Sequence, residues 1–126
     1  MSKKFKKYLS VLLATVLATG CLSAVVAFAD DSVALNEMNF PDANFRAYLS
    51  ENVDTDGNGA LSVEERDNHP IISVANRGIT SLKGIEYFPN LKNLSCSKNP
   101  LDKLDVSTLT ELTSLTCMAD GLSELN

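Results

Sequence analysis

Residues 91–104 read LKNLSCSKNPLDKL, and residues 112–125 read LTSLTCMADGLSEL. The two stretches superimpose at a shift of 21 positions: Leu91 on Leu112, Leu94 on Leu115, Cys96 on Cys117, Asn99 on Asp120, Leu101 on Leu122 and Leu104 on Leu125. The shared template is L-x-x-L-x-C-x-x-N-x-L-x-x-L. A weaker copy begins at Ile72, 22 residues before Leu94, and supplies Ile72, Val74, Ile79 and Leu82, with Arg77 in the asparagine slot. Leu94, Cys96, Leu115 and Cys117 alternate with polar residues, as short strands require. A helix would place apolar residues at i, i+3, i+4 and i+7, and Leu94-Ser95-Cys96 breaks that period. Pro100 and Gly121, just past the strands, also oppose long helices.

A repeat of this length and pattern is a leucine-rich repeat. One such strand cannot bury its apolar face alone, so successive copies stack into a parallel sheet backed by a continuous core. The fold class expected is therefore α/β: a leucine-rich-repeat solenoid with a parallel sheet. Leu94, Leu101, Leu112, Leu115 and Leu122 are its expected core. The asparagine slot closes the turn after each strand, where a side-chain amide satisfies backbone groups. Asp120 does part of this and Arg77 none of it, so the first repeat is expected to be irregular. Cys96 and Cys117 fall on neighbouring strands at one core position. Adjacent strands bring the two Cα atoms ~4.8 Å apart, within disulfide reach. Stacked thiols are the favoured reading and a disulfide the alternative.

Upstream of the repeats, Pro41 suits a helix first turn. Phe45, Tyr48, Leu49 and Val53 share one helical face, so a helix is expected from about Pro41 to Val53, covering the open end of the first repeat. The stretch DTDGNGALSVEE, residues 54–65, follows at once. Counted from Asp54, a calcium loop needs oxygen donors at positions 1, 3, 5, 7, 9 and 12 and Gly at 6. Asp54, Asp56, Asn58, the Ala60 carbonyl, Ser62 and Glu65 fill the donor slots, and Gly59 stands at 6. The match to D-x-[DN]-x-[DN]-G-x5-E is complete. The plainer alternative is a capping box, Ser62-x-x-Glu65, on a short helix from Val63 to the break at Pro70. Capping, however, requires neither Asp54, Asp56 nor Gly59. Gln at 65 would preserve a capping box while weakening bidentate calcium ligation. No second loop is apparent to pair with this one, which points to a weak, structural calcium site.

Four lysines within residues 1–7, an uncharged run from Leu9 to Ala29 and an Ala27-Phe28-Ala29 motif read as a secretory signal cut before Asp30. An uncleaved span and lipidation at Cys21 rank below it. Residues 30–126 then carry 7 basic and 16 acidic side chains, a formal charge of −9. That charge repels nucleic acid and anionic membranes and suits an extracellular protein that binds a cation. The expected organisation is a signal peptide at 1–29, an EF-hand-like helical cap at 30–70 and about three repeats at 71–126. The chain stops directly after a repeat leucine with no polar terminal cap, so a fragment, a truncated gene product or the start of a longer protein is expected. Nucleophile elbow, zinc-protease and phosphate-loop motifs are absent. His69, the single histidine, is expected to be a solvated residue at a helix end, and no enzyme is expected.

FPDANFRAYLSENVDTDGNGALS (40–62) resembles the cap, and GITSLKGIEYFPNLKNLSCSKN (78–99) the first repeats, of secreted leucine-rich-repeat proteins of Gram-positive bacteria. Internalins share this plan. Their cap is not a working calcium site, whereas every ligand slot is filled here. The resemblance implies a curved solenoid that binds a protein or glycan on its concave face. That face would present Asn93, Ser95, Ser97, Ser114, Thr116 and Met118. These side chains are mostly small and hydroxyl-bearing, so binding by these repeats alone is expected to be weak. The alternative is a calcium-dependent cell-envelope module with no partner of its own.

Overall fold

The computed structural model describes residues 31–118 and 121–126. The expected leader at 1–29 and Asp120 lie outside the described residues. Residues from Asp31 to Asn126 form one compact unit. The elements are β1 (Val33–Ala34), α1 (Ala43–Asn52), β2 (Ala60–Leu61), α2 (Val63–Asp67), β3 (Ile71–Ser73), a 3-10 turn (Ile85–Tyr87), β4 (Asn93–Ser95), β5 (Lys103–Leu104), β6 (Ser114–Thr116) and β7 (Glu124–Leu125). It is a mixed α/β molecule with short parallel sheets and few helices.

The sequence repeat is visible as sheet register. β3, β4 and β6 form one parallel sheet in which Ile72, Leu94 and Leu115 are successive partners. The flanking backbone bonds recur at the same repeat positions. Val74 N donates to Ser95 O and Cys96 N to Thr116 O, while Asn76 N donates to Ser97 O and Lys98 N to Met118 O. β5 and β7 pair in parallel on a second sheet, Leu104 beside Leu125.

Burial follows the stacking. Ile72, Val74, Ile79 and Leu82, and their counterparts Leu94, Cys96, Leu101 and Leu104, are buried. Leu112, Leu115, Cys117 and Leu122 are only half-buried, and Leu125 is exposed. This corrects the expected core: Leu94 and Leu101 belong to it fully, but Leu112, Leu115 and Leu122 do not. A repeat buries its apolar side against both neighbours, and among the described residues β6 is the edge of its sheet, with no further strand beside it. A second apolar periodicity, absent from the template, completes the core. Ile85 and Phe88 are buried, and 21 residues later Leu109 is buried and Val106 partly so.

Asn99 is 1% exposed and spends its amide on the turn. Its Oδ1 accepts from Arg77 N (2.9 Å) and Ile79 N (3.1 Å), and its Nδ2 donates to Val74 O (2.8 Å) and Cys96 O (2.7 Å). One asparagine thus satisfies backbone groups of its own repeat and of the one before. The first repeat closes this turn without an asparagine of its own, and Asn76 and Lys98, at equivalent positions, share the left-handed conformation (φ 56° and 59°). It still departs from the second repeat as expected, with Gly78 at φ 67° where the counterpart is Pro100, and with no strand matching β5. The Arg77 guanidinium lies over the Tyr48 ring, 4.9 Å from its centroid, and ties the turn to α1. Asn99→Asp should cost ~1–3 kcal/mol in chemical denaturation, because two buried carbonyls lose their donor while both acceptor bonds can persist.

The helical segment shares this core. Phe40, Phe45, Leu49 and Val53 are fully buried, and Phe40 meets Phe45 and Tyr87 edge-on. Gly84 (φ 104°) sits directly beneath Phe40, where a Cβ would come within 2.1 Å of the ring. α1 starts two residues later than Pro41, because Asp42 is the N-cap, accepting from Phe45 N at 2.8 Å. Its other oxygen accepts from Thr80 N and Oγ1, binding the helix start to the first repeat. Burial alone would raise the Asp42 pKa, but the bonds from Thr80 and Phe45 outweigh it and the pKa is lowered.

Candidate metal centre

Residues 54–65 connect α1 to α2, and their geometry is set by one carboxylate at the start and one at the end. Asp54 Oδ1 accepts from Gly57 N (2.8 Å) and Asn58 N (3.2 Å), and Oδ2 from Gly59 N (2.9 Å). Turning the loop this tightly places Gly59 at φ 79°, a conformation that costs glycine little. Asp56 accepts from Asn58 N (3.2 Å) and Nδ2 (3.0 Å), and Asn58 Oδ1 accepts from Ala60 N (2.8 Å). Ala60 itself stands on β2.

Glu65 closes the loop. Its Oε2 accepts from Ser62 N (2.9 Å) and Oγ (2.8 Å), while Ser62 Oγ accepts in turn from Glu65 N (3.3 Å), completing the capping box of α2. Its Oε1 accepts from Thr55 N and Oγ1, both at 2.8 Å. Burial by itself would raise the Glu65 pKa. These four donors outweigh it and hold the group at about 2. Thr55 was not among the candidate residues, although a hydroxyl beside Asp54 was the available signal. Its part also alters the reading of Gln at 65. Gln can serve Ser62 or Thr55 through its one oxygen, but its amide then faces the donors of the other. The change therefore destabilises the loop even where no ion binds.

The loop brings Asp54, Asp56 and Glu65 together, with one ligand oxygen from each within 4.8 Å of the others. Asp54 and Glu65 are each only 7% exposed. A cluster of this kind can hold a metal ion. Hard carboxylate oxygens suit a hard cation and not a soft one. Asn58 and Ser62 join the cluster through their bonds to Asp56 and Glu65.

Two neighbours brace the site. β1 pairs antiparallel with β2, Val33 beside Leu61 and Ala34 beside Ala60, and Leu35 N donates to Gly59 O. The segment 33–35 thus lines the loop as a strand where no second loop was found in the sequence. The short apolar run Val33-Ala34-Leu35 was its only trace. His69 stands just past the end of α2, as expected, but is half-buried and bridges the two helices. Nδ1 lies 2.6 Å from Glu65 O and Nε2 3.0 Å from Asn52 O, joining α2 to the end of α1. Both contacts are hydrogen bonds at once only when both ring nitrogens carry protons.

No family model matches the chain, and no curated protein matches it by sequence. Solved structures do. An internalin, InlF, from Listeria monocytogenes aligns with 78% of the chain at TM-score 0.58 and 23% identity. The functional domain of InlJ from Listeria monocytogenes, which includes a cysteine ladder, aligns with 75% at TM-score 0.56 and 24% identity. The chain spans 33% of the first structure and 23% of the second. Identity at this level shows likeness of fold alone: the short parallel sheets resemble those of these internalins, which are leucine-rich-repeat proteins.

Proposed function

We propose that this chain is a secreted or cell-surface leucine-rich-repeat binding module. It is a non-enzymatic solenoid whose EF-hand-like cap holds a structural calcium ion. The single observation that carries the reading is the three-stranded parallel sheet β3-β4-β6 joined through one core to a loop in which three carboxylates converge. Asp54, Asp56, Asn58, the Ala60 carbonyl, Ser62 and Glu65 are the proposed ligands. Calcium at Glu65 would replace the hydroxyl bonds from Thr55 and Ser62.

The partner proposed is a protein or glycan on the sheet face, with no role for nucleic acid or membrane insertion. Among the described residues no helix is long and apolar enough to cross a membrane. Asn93, Ser114, Thr116 and Met118 are exposed there. Ser97 is less available, because its hydroxyl accepts from Met118 N at 2.9 Å. A screen against extracellular ectodomains and glycans, repeated with Thr116→Arg, tests this reading. Binding that Thr116→Arg abolishes supports a partner face. The exposed strand residues include no aromatic, an observation that favours the second reading, a calcium-dependent envelope module without a partner. A screen with no binder would select that reading.

Calcium should raise the melting temperature, since only the folded chain presents the whole ligand set. The gain is RT ln(1 + [Ca]/Kd), or ~1.4 kcal/mol at tenfold excess over Kd. Asp54→Ala should remove most of that gain, and magnesium should substitute poorly. Titration calorimetry and melting in calcium and in chelator provide the check. No heat and no shift at ~10 mM calcium, tenfold above the weak end of extracellular affinities, would sink the calcium assignment.

A further inference from the structure

Cys96 and Cys117 take no part in the loop or in the exposed sheet face, yet the fold sets them together. They directly follow the paired residues Ser95 and Thr116, and Cys96 N donates to Thr116 O at 2.9 Å, so both backbones are fixed. Their sulfurs lie 2.9 Å apart, in hydrogen-bond contact. A disulfide needs ~2.05 Å between the sulfurs and 4.4–6.8 Å between Cα atoms. Neighbouring strands already provide the second condition, and under 1 Å of side-chain movement provides the first. The two thiols differ in access. Cys96 is buried and Cys117 is half-buried. They also bridge a gradient of burial, from the buried core positions of the second repeat to the half-covered ones of the third.

We infer that Cys96 and Cys117 are a thiol modification site, at which a low-molecular-weight disulfide installs a covalent latch between the second and third repeats. Cys117 is the entry point. Its thiolate attacks one sulfur of the small disulfide, forming a mixed disulfide and releasing one small thiolate. Cys96 then gives up its proton and attacks the Cys117 sulfur. The Cys96–Cys117 bond forms and the second small thiolate leaves. Two protein thiols are oxidised by two electrons, and one small disulfide is reduced to two thiols, which carry off the two protons. Thiol–disulfide exchange proceeds by this route and depends on access to the attacking thiolate. The latch closes a loop of about 20 residues in the unfolded chain and so favours the folded state. Its benefit falls on the repeat whose core is least covered.

The test is incubation of the whole chain carrying Cys21→Ser, which leaves Cys96 and Cys117 as its only cysteines, with oxidised glutathione, read by intact mass, peptide mapping and melting. The parent should lose the mass of two hydrogens, with the bond mapped to Cys96–Cys117. Its melting temperature should rise by several degrees, and dithiothreitol should reverse both changes. Cys96→Ser should instead retain one glutathione on Cys117, and Cys117→Ser should retain none on Cys96. If the parent keeps both thiols alkylatable, or stops at the mixed disulfide, the inference is overturned. It is likewise overturned if glutathione is found on Cys96 in Cys117→Ser, because the order of access would then be wrong.

Discussion

Leu94→Ala should lower the stability of the folded chain by ~2–5 kcal/mol, whereas Leu115→Ala should cost markedly less. Both leucines occupy the same template position and are direct partners across β4 and β6. They differ in what covers them. Leu94 is 1% exposed between its counterparts Ile72 and Leu115, so truncation leaves a cavity walled on both sides. Leu115 is half-buried, and solvent can fill the space its side chain vacates. The transfer of a methyl-bearing side chain and the cavity left behind both count at Leu94. At Leu115 the cavity contribution falls away. Urea denaturation of both variants gives the comparison. Equal losses would mean that the third repeat is covered as fully as the second, contrary to the burial seen here.

The same contrast shows what the sequence made legible. The 21-residue spacing specifies strand register, because one residue of slip would turn every apolar side chain outward. Residues 72, 94 and 115 therefore align as the repeat requires. Burial depends on neighbours, and spacing alone does not supply them. The turn behaves likewise. Asn99 was identifiable as a turn residue, but its reach back to Arg77 N and Ile79 N depends on stacking. That reach is why the first repeat tolerates arginine in the slot. In the loop, the convergence of Asp54, Asp56 and Glu65 followed from one-dimensional spacing. The Thr55 donors to Glu65, the strand at 33–34 and the His69 bridge did not, since each joins residues through folded geometry and carries no fixed motif.

Acid should weaken the fold through Glu65. Its carboxyl is held at about 2 in the folded chain against an ordinary value of 4.5, because four hydrogen bonds from Ser62 and Thr55 outweigh the effect of burial. A group whose pKa is depressed on folding binds fewer protons folded than unfolded. Its contribution is therefore complete above pH ~4.5 and is lost as the pH falls from there towards ~2. The difference corresponds to stability on the order of 3 kcal/mol at neutral pH. Urea denaturation between pH 7 and pH 2, in chelator, should show this loss in the parent. Glu65→Gln has no carboxyl to protonate, so it should be less stable at neutral pH and should lose less on acidification. The comparison keeps the ion separate from the hydrogen bonds. In chelator the difference in pH dependence between parent and variant reports the Ser62 and Thr55 donors without the ion, because other carboxyls such as Asp42 contribute equally to both. Added calcium should then stabilise the parent further at neutral pH and leave Glu65→Gln almost unchanged. A parent and variant with the same acid profile in chelator would show that the four bonds do not hold the carboxylate ionised. A parent with the expected acid profile and no response to calcium would keep the capped loop and remove its ion.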